Sequence, residues 1–123
     1  MKLTGDGTLL RIFLGESDRL EHHALYDVIV RAARENGMAG ATVLRGVEGY
    51  GARSRVIHTA KILQLSEDLP IVIEIVDTDV KVQAFIPVVD ALLEKSGGGG
   101  MMTLEQVNVI KYTHGKNEPA AAV

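Results

Sequence analysis

Two strand-like runs near the middle of the chain are separated by a polar interval longer than compact domains usually carry. Residues 41–48 (ATVLRGVE) and 71–76 (IVIEIV) both read as β-strands. The interval between them, from Gly49 to Pro70, holds roughly twenty residues, against a usual connection of about five. A strand pair joined this way must leave its connection outside the core. The interval opens with Gly49-Tyr50-Gly51, carries Arg53, Arg55, His58 and Lys61, and has no acid before Glu67. Its plain reading is a solvated polar loop. Its functional reading is a basic finger that orders on a phosphate or a partner protein.

The elements around this interval fall into a recognisable order. Residues 8–14 (TLLRIFL) alternate Leu10, Ile12 and Leu14 with Arg11 and Phe13, a short strand after the turn signal Gly5-Asp6-Gly7. Asp18 and Glu21 have capping-box spacing and predict a helix start. Leu25, Val28, Ile29 and Ala32 then give that helix one apolar face, and Asn36-Gly37 ends it. Gly46 is expected to be a bulge or a point of close approach in the second strand. Asp77-Thr78-Asp79 caps a second helix whose apolar face is Val82, Phe85, Ile86, Val89, Leu92 and Leu93, with a kink expected at Pro87. Ser96 and four glycines end it. A last strand is expected from Met101 to Tyr112, with Val107, Val109 and Ile110 packing. The order is β-α-β-β-α-β, an α+β, ferredoxin-like fold with both helices on one face of a four-stranded antiparallel sheet. The other face needs cover. Alternation of Ile71, Ile73 and Ile75 with Val72, Glu74 and Val76 leaves an apolar stripe, which subunit association would bury.

Bulk properties narrow the function. The 123 residues suit a single domain, expected to span 1–115 with a disordered tail over 116–123. With 4% aromatic residues, no Trp and a net charge of −3, neither a base-stacking surface nor a basic field favours nucleic acid as a partner. The chain has no Cys, so thiolate metal sites and disulfides are excluded. It lacks both an apolar run of ~20 residues and a signal-peptide pattern, which makes a cytoplasmic protein the expectation.

Few residues point to chemistry. Gly97-Gly98-Gly99-Gly100 could present backbone amides to a phosphate, or could serve as a flexible turn; no Gly-Lys-Ser/Thr follows to make it a Walker motif. Gly49-Tyr50-Gly51 carries the same two readings, and the pair together favours a shared phosphate or nucleotide cleft. Glu74, among five apolar residues, is either on a solvated sheet face or aimed into a subunit contact or ligand cleft. His22, His23, His58 and His114 lack metal-ligand spacing, so no metal is expected; His22 and His23 read as exposed helix-surface residues. No nucleophile–base set or carboxylate pair is visible, so no catalytic residues are expected and the chain does not read as an enzyme.

These motifs together resemble the PII signalling proteins. Gly49-Tyr50-Gly51 is similar to the Gly-Phe-Gly that opens the PII T-loop, and His58-Thr59 to the His-Thr inside it. Leu69-Pro70 and Ile73-Glu74-Ile75-Val76 resemble the loop's end and the following strand. Ser96 to Gly100 stands where PII has its glycine-containing B-loop, and Val109-Ile110-Lys111 resembles the Val-Ile-Arg of its last strand. The runs RSRVIHTAKILQLSEDLPIVIEIVD and TLEQVNVIKY resemble most closely an uncharacterised PII-like branch filed as a domain of unknown function.

The resemblance implies a homotrimer with nucleotide sites between subunits. Gly49, Tyr50 and Gly51 would line the cleft, and Gly97, Gly98, Gly99 and Gly100 would offer amides to phosphates. Glu74 and Val76 of the neighbouring chain would face the adenosine, Lys111 would reach the phosphates, and Met101 would stand where PII has a lysine. Arg53, Arg55, His58 and Lys61 would belong to the loop that meets a target, by analogy a membrane transporter or channel. Departures shape the ligand. The loop tyrosine that PII proteins modify is absent, with Ile62 and Leu63 in that stretch. Ala52-Arg53-Ser54 lacks the glutamine that helps PII hold magnesium and 2-oxoglutarate, and Thr113 replaces a second arginine. This thinning of positive charge favours AMP or ADP over ATP with magnesium. Two other readings stand beside it: a metal-linked trimer like the copper-tolerance relatives of this fold, and a small enzyme on a ferredoxin-like sheet.

Overall fold

The computed structural model describes residues 3–51, 57–59 and 68–115. The expected tail over 116–123, and Arg53, Arg55, Lys61, Ile62 and Leu63, lie outside the described residues. Among the described residues, eight strands and two helices follow one another as β1 (Gly5–Gly15), β2 (Arg19–Leu20), β3 (His23–Ala24), α1 (Leu25–Glu35), β4 (Thr42–Arg45), β5 (Glu48–Gly49), β6 (His58–Thr59), β7 (Pro70–Asp77), α2 (Asp79–Ser96) and β8 (Met101–Val109). The main sheet has the order β4-β7-β1-β8, with every pairing antiparallel. Its strands and the two helices give the β-α-β-β-α-β arrangement of the ferredoxin-like, PII-like class.

Register decides which residues make the core. Leu10, Ile12 and Leu14 on β1 stand opposite Ile75, Ile73 and Ile71 on β7. These six pack under Leu25, Ile29 and Ala33 of α1 and Val82, Phe85, Val89 and Leu93 of α2. The isoleucine stripe expected to await a partner is therefore the floor of the helix-covered core. The uncovered stripe is its complement: Val72, Glu74 and Val76 on β7, with Arg11 and Phe13 beside them on β1. Side chains alternate between faces with period two, so covering one set exposes the other.

Two further differences have local causes. The first helix begins at Leu25, not near Asp18. Residues 19–24 form a small hairpin, with Arg19 paired to Ala24 and Leu20 to His23. Glu21 and His22 turn it with φ values of 49° and 74°, the double positive φ of a two-residue hairpin turn. Asp18 accepts from the Gly15 amide at 3.0 Å, and its carbonyl from the Leu25 amide at 2.8 Å, so it closes a turn and caps no helix with its side chain. His22 and His23 therefore sit on the hairpin. Second, the last strand ends at Val109, and Ile110 is 80% exposed and does not pack; beyond it the Tyr112 hydroxyl donates to the Ala39 carbonyl at 3.0 Å. The second helix, α2, runs continuously through Pro87. Pro87 and Gln83 both lie on its exposed side, where the carbonyl that loses its donor meets water.

Asp77 is fully buried, and its carboxylate accepts from the Ala39 amide at 2.8 Å and the Thr78 amide at 2.7 Å, tying the α1–β4 turn to the start of α2. Asp77→Ala leaves two donors without their partner. The expected loss is about 2–4 kcal/mol, read as a lower urea midpoint with an unchanged m-value; a loss below about half a kcal/mol would contradict this account of the turn.

Candidate functional site

The site is built where the long connection meets the sheet. Pro70 opens β7 and pairs with Gly15 at the end of β1. The second strand of the split pair runs past it: the Gly46 amide donates to the Pro70 carbonyl at 2.7 Å. A Cβ on Gly46 would stand 2.7 Å from Pro70 Cγ, and one on Gly49 3.1 Å from the same atom. Gly46 is thus the close-approach position its place in the strand predicted. Two glycines let the chain hug a proline ring, which fixes where the long connection leaves the sheet. Immediately beyond, β5 pairs with β6, Glu48 to Thr59 and Gly49 to His58, so the connection begins as a short ribbon.

The other root of the connection is fastened to the turn after β1. The Glu16 amide donates to the Leu69 carbonyl at 2.9 Å, and the Ser17 amide to the Asp68 carboxylate at 3.1 Å. Arg45 at the end of β4 reaches Glu16 at 2.9 Å. Three chain segments distant in sequence, 15–18, 45–51 and 68–70, are held together here.

A fourth segment closes the cleft. Ser96 ends α2 by donating from its hydroxyl to the Leu93 carbonyl and accepting from the Gly98 amide. Gly97 takes φ 72° as the left-handed cap, and its amide donates to Glu94. Gly97 and Gly98 therefore spend their amides on terminating the helix. Gly99 and Gly100 are carried on to the cleft wall, and a Cβ on Gly100 would come 3.1 Å from the Phe13 carbonyl. The result is a cavity of about 260 Å³ bounded by the β1 end and the turn after it (Phe13, Leu14, Gly15, Asp18), the two loop roots (Gly49, Tyr50, Gly51, Asp68, Pro70, Ile71) and the glycine turn (Gly99, Gly100, Met101).

Six residues expected at a nucleotide site thus line one cavity: Gly49, Tyr50, Gly51, Gly99, Gly100 and Met101. Glu74 and Val76 do not line it. They lie on the open sheet face, where Glu74 accepts from Arg11 at 2.9 Å and Arg11 also reaches Glu105 at 3.0 Å. The Glu74 hydrogen bond holds the Arg11 guanidinium above its ordinary value. Lys111 lies farther still, two residues past Val109, which pairs with Gly5 at the opposite end of β1 from Gly15. Ten strand steps separate those ends, roughly 30 Å. His58 belongs to β6. Asp18 and Asp68 were not foreseen as cleft residues; the signal was an acid beside each turn, Gly15–Asp18 and Asp68–Pro70. Among the described residues no three metal-ligating side chains gather, and no helix is long and apolar enough to cross a membrane.

Because Pro70 is wedged between glycines, Gly46→Ala should cost about 1–3 kcal/mol by overpacking, measured by denaturation, and should disturb any ligand bound in the cavity. An unchanged midpoint would show that the ring yields freely.

The family model for DUF190, described as an uncharacterized ACR, matches residues 7–109. A UPF0166 protein of Aquifex aeolicus is 38% identical over 102 residues, covering 83% of this chain and 91% of that protein. Among solved structures, a similar one is CPII, a nitrogen regulatory PII-like protein from Thiomonas intermedia K12 bound to ADP, AMP and bicarbonate. It has a TM-score of 0.64 and 16% identity, over 89% of this chain and 92% of that one. A PII-like signalling protein from Thermus thermophilus gives a TM-score of 0.57 at 18% identity, over 89% of this chain and 94% of that one. A phage SAM lyase in complex with S-methyl-5'-thioadenosine gives 0.50 at 16%, over 91% and 90%. At these identities the structures establish the shared fold.

Proposed function

The chain belongs to the DUF190 family, and on that premise we propose that it is a non-enzymatic, PII-like regulatory homotrimer that binds an adenine nucleotide, AMP or ADP before ATP, between its subunits. The observation that carries this reading is the joining of Gly49-Tyr50-Gly51 and Gly99-Gly100-Met101 in one cavity. These turns stand about fifty residues apart in sequence. At about 260 Å³ the cavity falls just below the ~300–1,000 Å³ of small-molecule sites, and in this reading a neighbouring copy completes it. That CPII, of the same fold, binds ADP and AMP supports the choice of ligand.

The neighbour supplies what the single chain keeps apart. Lys111 cannot reach its own cleft across the length of β1, so in this reading it contacts the phosphates of an adjacent subunit's ligand. Glu74 and Val76, on the open sheet face, contribute from the neighbour in the same way. Burial of Phe13, Val72 and Val76 drives the association.

Signalling follows from the roots of the long connection. Gly49–Gly51 line the cavity, as do Asp68 and Pro70, so a bound ligand touches the connection at its entry and its exit. In this reading the stretch that carries Arg53, Arg55 and Lys61, with His58 on β6, presents a basic surface to a target, by analogy with PII a membrane transporter or channel. The cell compartment that suits this role is the cytoplasm.

Calorimetry with AMP, ADP, ATP with and without magnesium, and cyclic nucleotides tests the reading. AMP or ADP should bind tightest and be recovered chemically intact. Tightest binding of magnesium–ATP would contradict the preference, and turnover of the nucleotide would contradict the non-enzymatic role. Lys111→Ala removes one charge-assisted contact, typically worth ~1.5–3 kcal/mol, and should weaken binding roughly tenfold or more while sedimentation still shows three chains.

A further inference from the structure

Among the described residues, the cavity's charge is not the one a phosphate site usually carries. Its charged lining residues, among those described, are Asp18 and Asp68, with neither lysine nor arginine. Both carboxylates are fixed in place. Asp18 is only 3% exposed and accepts from the Gly15 amide at 3.0 Å; Asp68 accepts from the Ser17 amide at 3.1 Å. They flank the same glycine: a Cβ on Gly15 would stand 2.6 Å from Asp68 Oδ1 and 3.6 Å from Asp18 Oδ1. The remaining wall is largely apolar, from Phe13, Leu14, Pro70 and Ile71. Such surroundings screen charge less than water does, so a change of charge at either carboxylate is felt by whatever enters.

We infer that Asp18 and Asp68 are the specificity-determining residues of this cleft, limiting the negative charge of the nucleotide it accepts. This rests on the nucleotide reading above and deepens it. Each additional phosphate brings negative charge toward two carboxylates held in place by backbone amides, whereas the base and ribose carry none. The direction of the effect does not depend on what else the carboxylates contact. Replacing either with a neutral amide makes the cleft less negative, whether it removes a repulsive charge or releases a cation that had been paired. The discrimination is thus built into the side of the site that one chain owns, while attraction for phosphate comes from the adjacent copy through Lys111.

Asp68→Asn and Asp18→Asn test this directly. An asparagine keeps one side-chain oxygen to accept from the Ser17 or Gly15 amide, so the turn retains its hydrogen bond. Adenosine, AMP and ADP are titrated against each full-length variant in the presence of a chelator. Asp90→Asn, an exposed acid on α2 outside the cleft, is the control for a change in net charge. Adenosine affinity should stay within about twofold, while the ADP-to-AMP affinity ratio should rise about three- to tenfold in the cleft variants and stay at the wild-type value in the control. Should Asp18→Asn fail to fold, the more exposed Asp68→Asn gives the same readout. An unchanged ratio in a folded cleft variant overturns the inference and leaves the nucleotide reading standing. A ratio that falls overturns it too, since the carboxylates would then be helping to hold the phosphates. Wild-type protein that binds none of the three compounds overturns both.

Discussion

An antiparallel strand of eleven residues keeps its two ends roughly 30 Å apart, and β1 is such a strand. One end, at Phe13–Gly15, forms the wall of the cleft. The other, at Gly5, pairs with Val109 and so fixes where the C-terminal segment and Lys111 can be. No rotamer of a single lysine spans that distance. In the proposed reading the two parts of the binding site meet across a subunit boundary, for which the open face of the sheet is the candidate. Its helix-covered face is closed, while its other face presents Phe13, Val72 and Val76 around the Arg11–Glu74–Glu105 cluster. The charges in that cluster are bridged within the chain, which lowers the cost of bringing them against another surface.

The same end of the sheet that holds the cleft also fixes the long connection. Gly46 and Gly49 close on the Pro70 ring from one side. The turn 15–18 grips Asp68 and Leu69 from the other, through two backbone amides. A ligand in the cavity therefore does not need a separate relay to reach the connection, because the wall of its site is made from both of the connection's roots. In the proposed reading, the cost of such an arrangement is that small changes at Gly15, Gly46 or Pro70 act together on binding and on the roots of the connection.

Much of the fold was legible in the sequence where local chemistry and tertiary packing agree. Residues 71–76 read as a strand, and β7 spans them because β-branched residues there suit both faces. The second helix is legible because Thr78 caps it, accepting from the Lys81 amide, and because Gly97 can take the left-handed conformation that stops it. The hairpin at 19–24 was not legible. Asp18 and Glu21 have the spacing of a capping box, and nothing in Glu21-His22 announces two successive residues with positive φ, a conformation that glycine or asparagine usually marks. Period-two alternation at 71–76 announced two faces and left open which one the helices would take; the isoleucines went inward. For the site, the glycine turns could be read as candidates but not their meeting. Asp18 and Asp68 became cleft residues only once the loop root folded against the turn after β1. Gly97 and Gly98 show the converse, since the run of four glycines divides between ending a helix and lining a cavity.

Native mass spectrometry of freshly purified protein tests the central claim most directly, because it counts chains and retained ligands in one spectrum. Sites completed by a neighbouring copy predict a trimer that carries up to three adenine nucleotides, with no nucleotide on any monomer released from it under gentle activation. A stable monomer that holds a nucleotide by itself would contradict the account, because it would show a complete site within a chain whose Lys111 and cleft lie at opposite ends of one sheet.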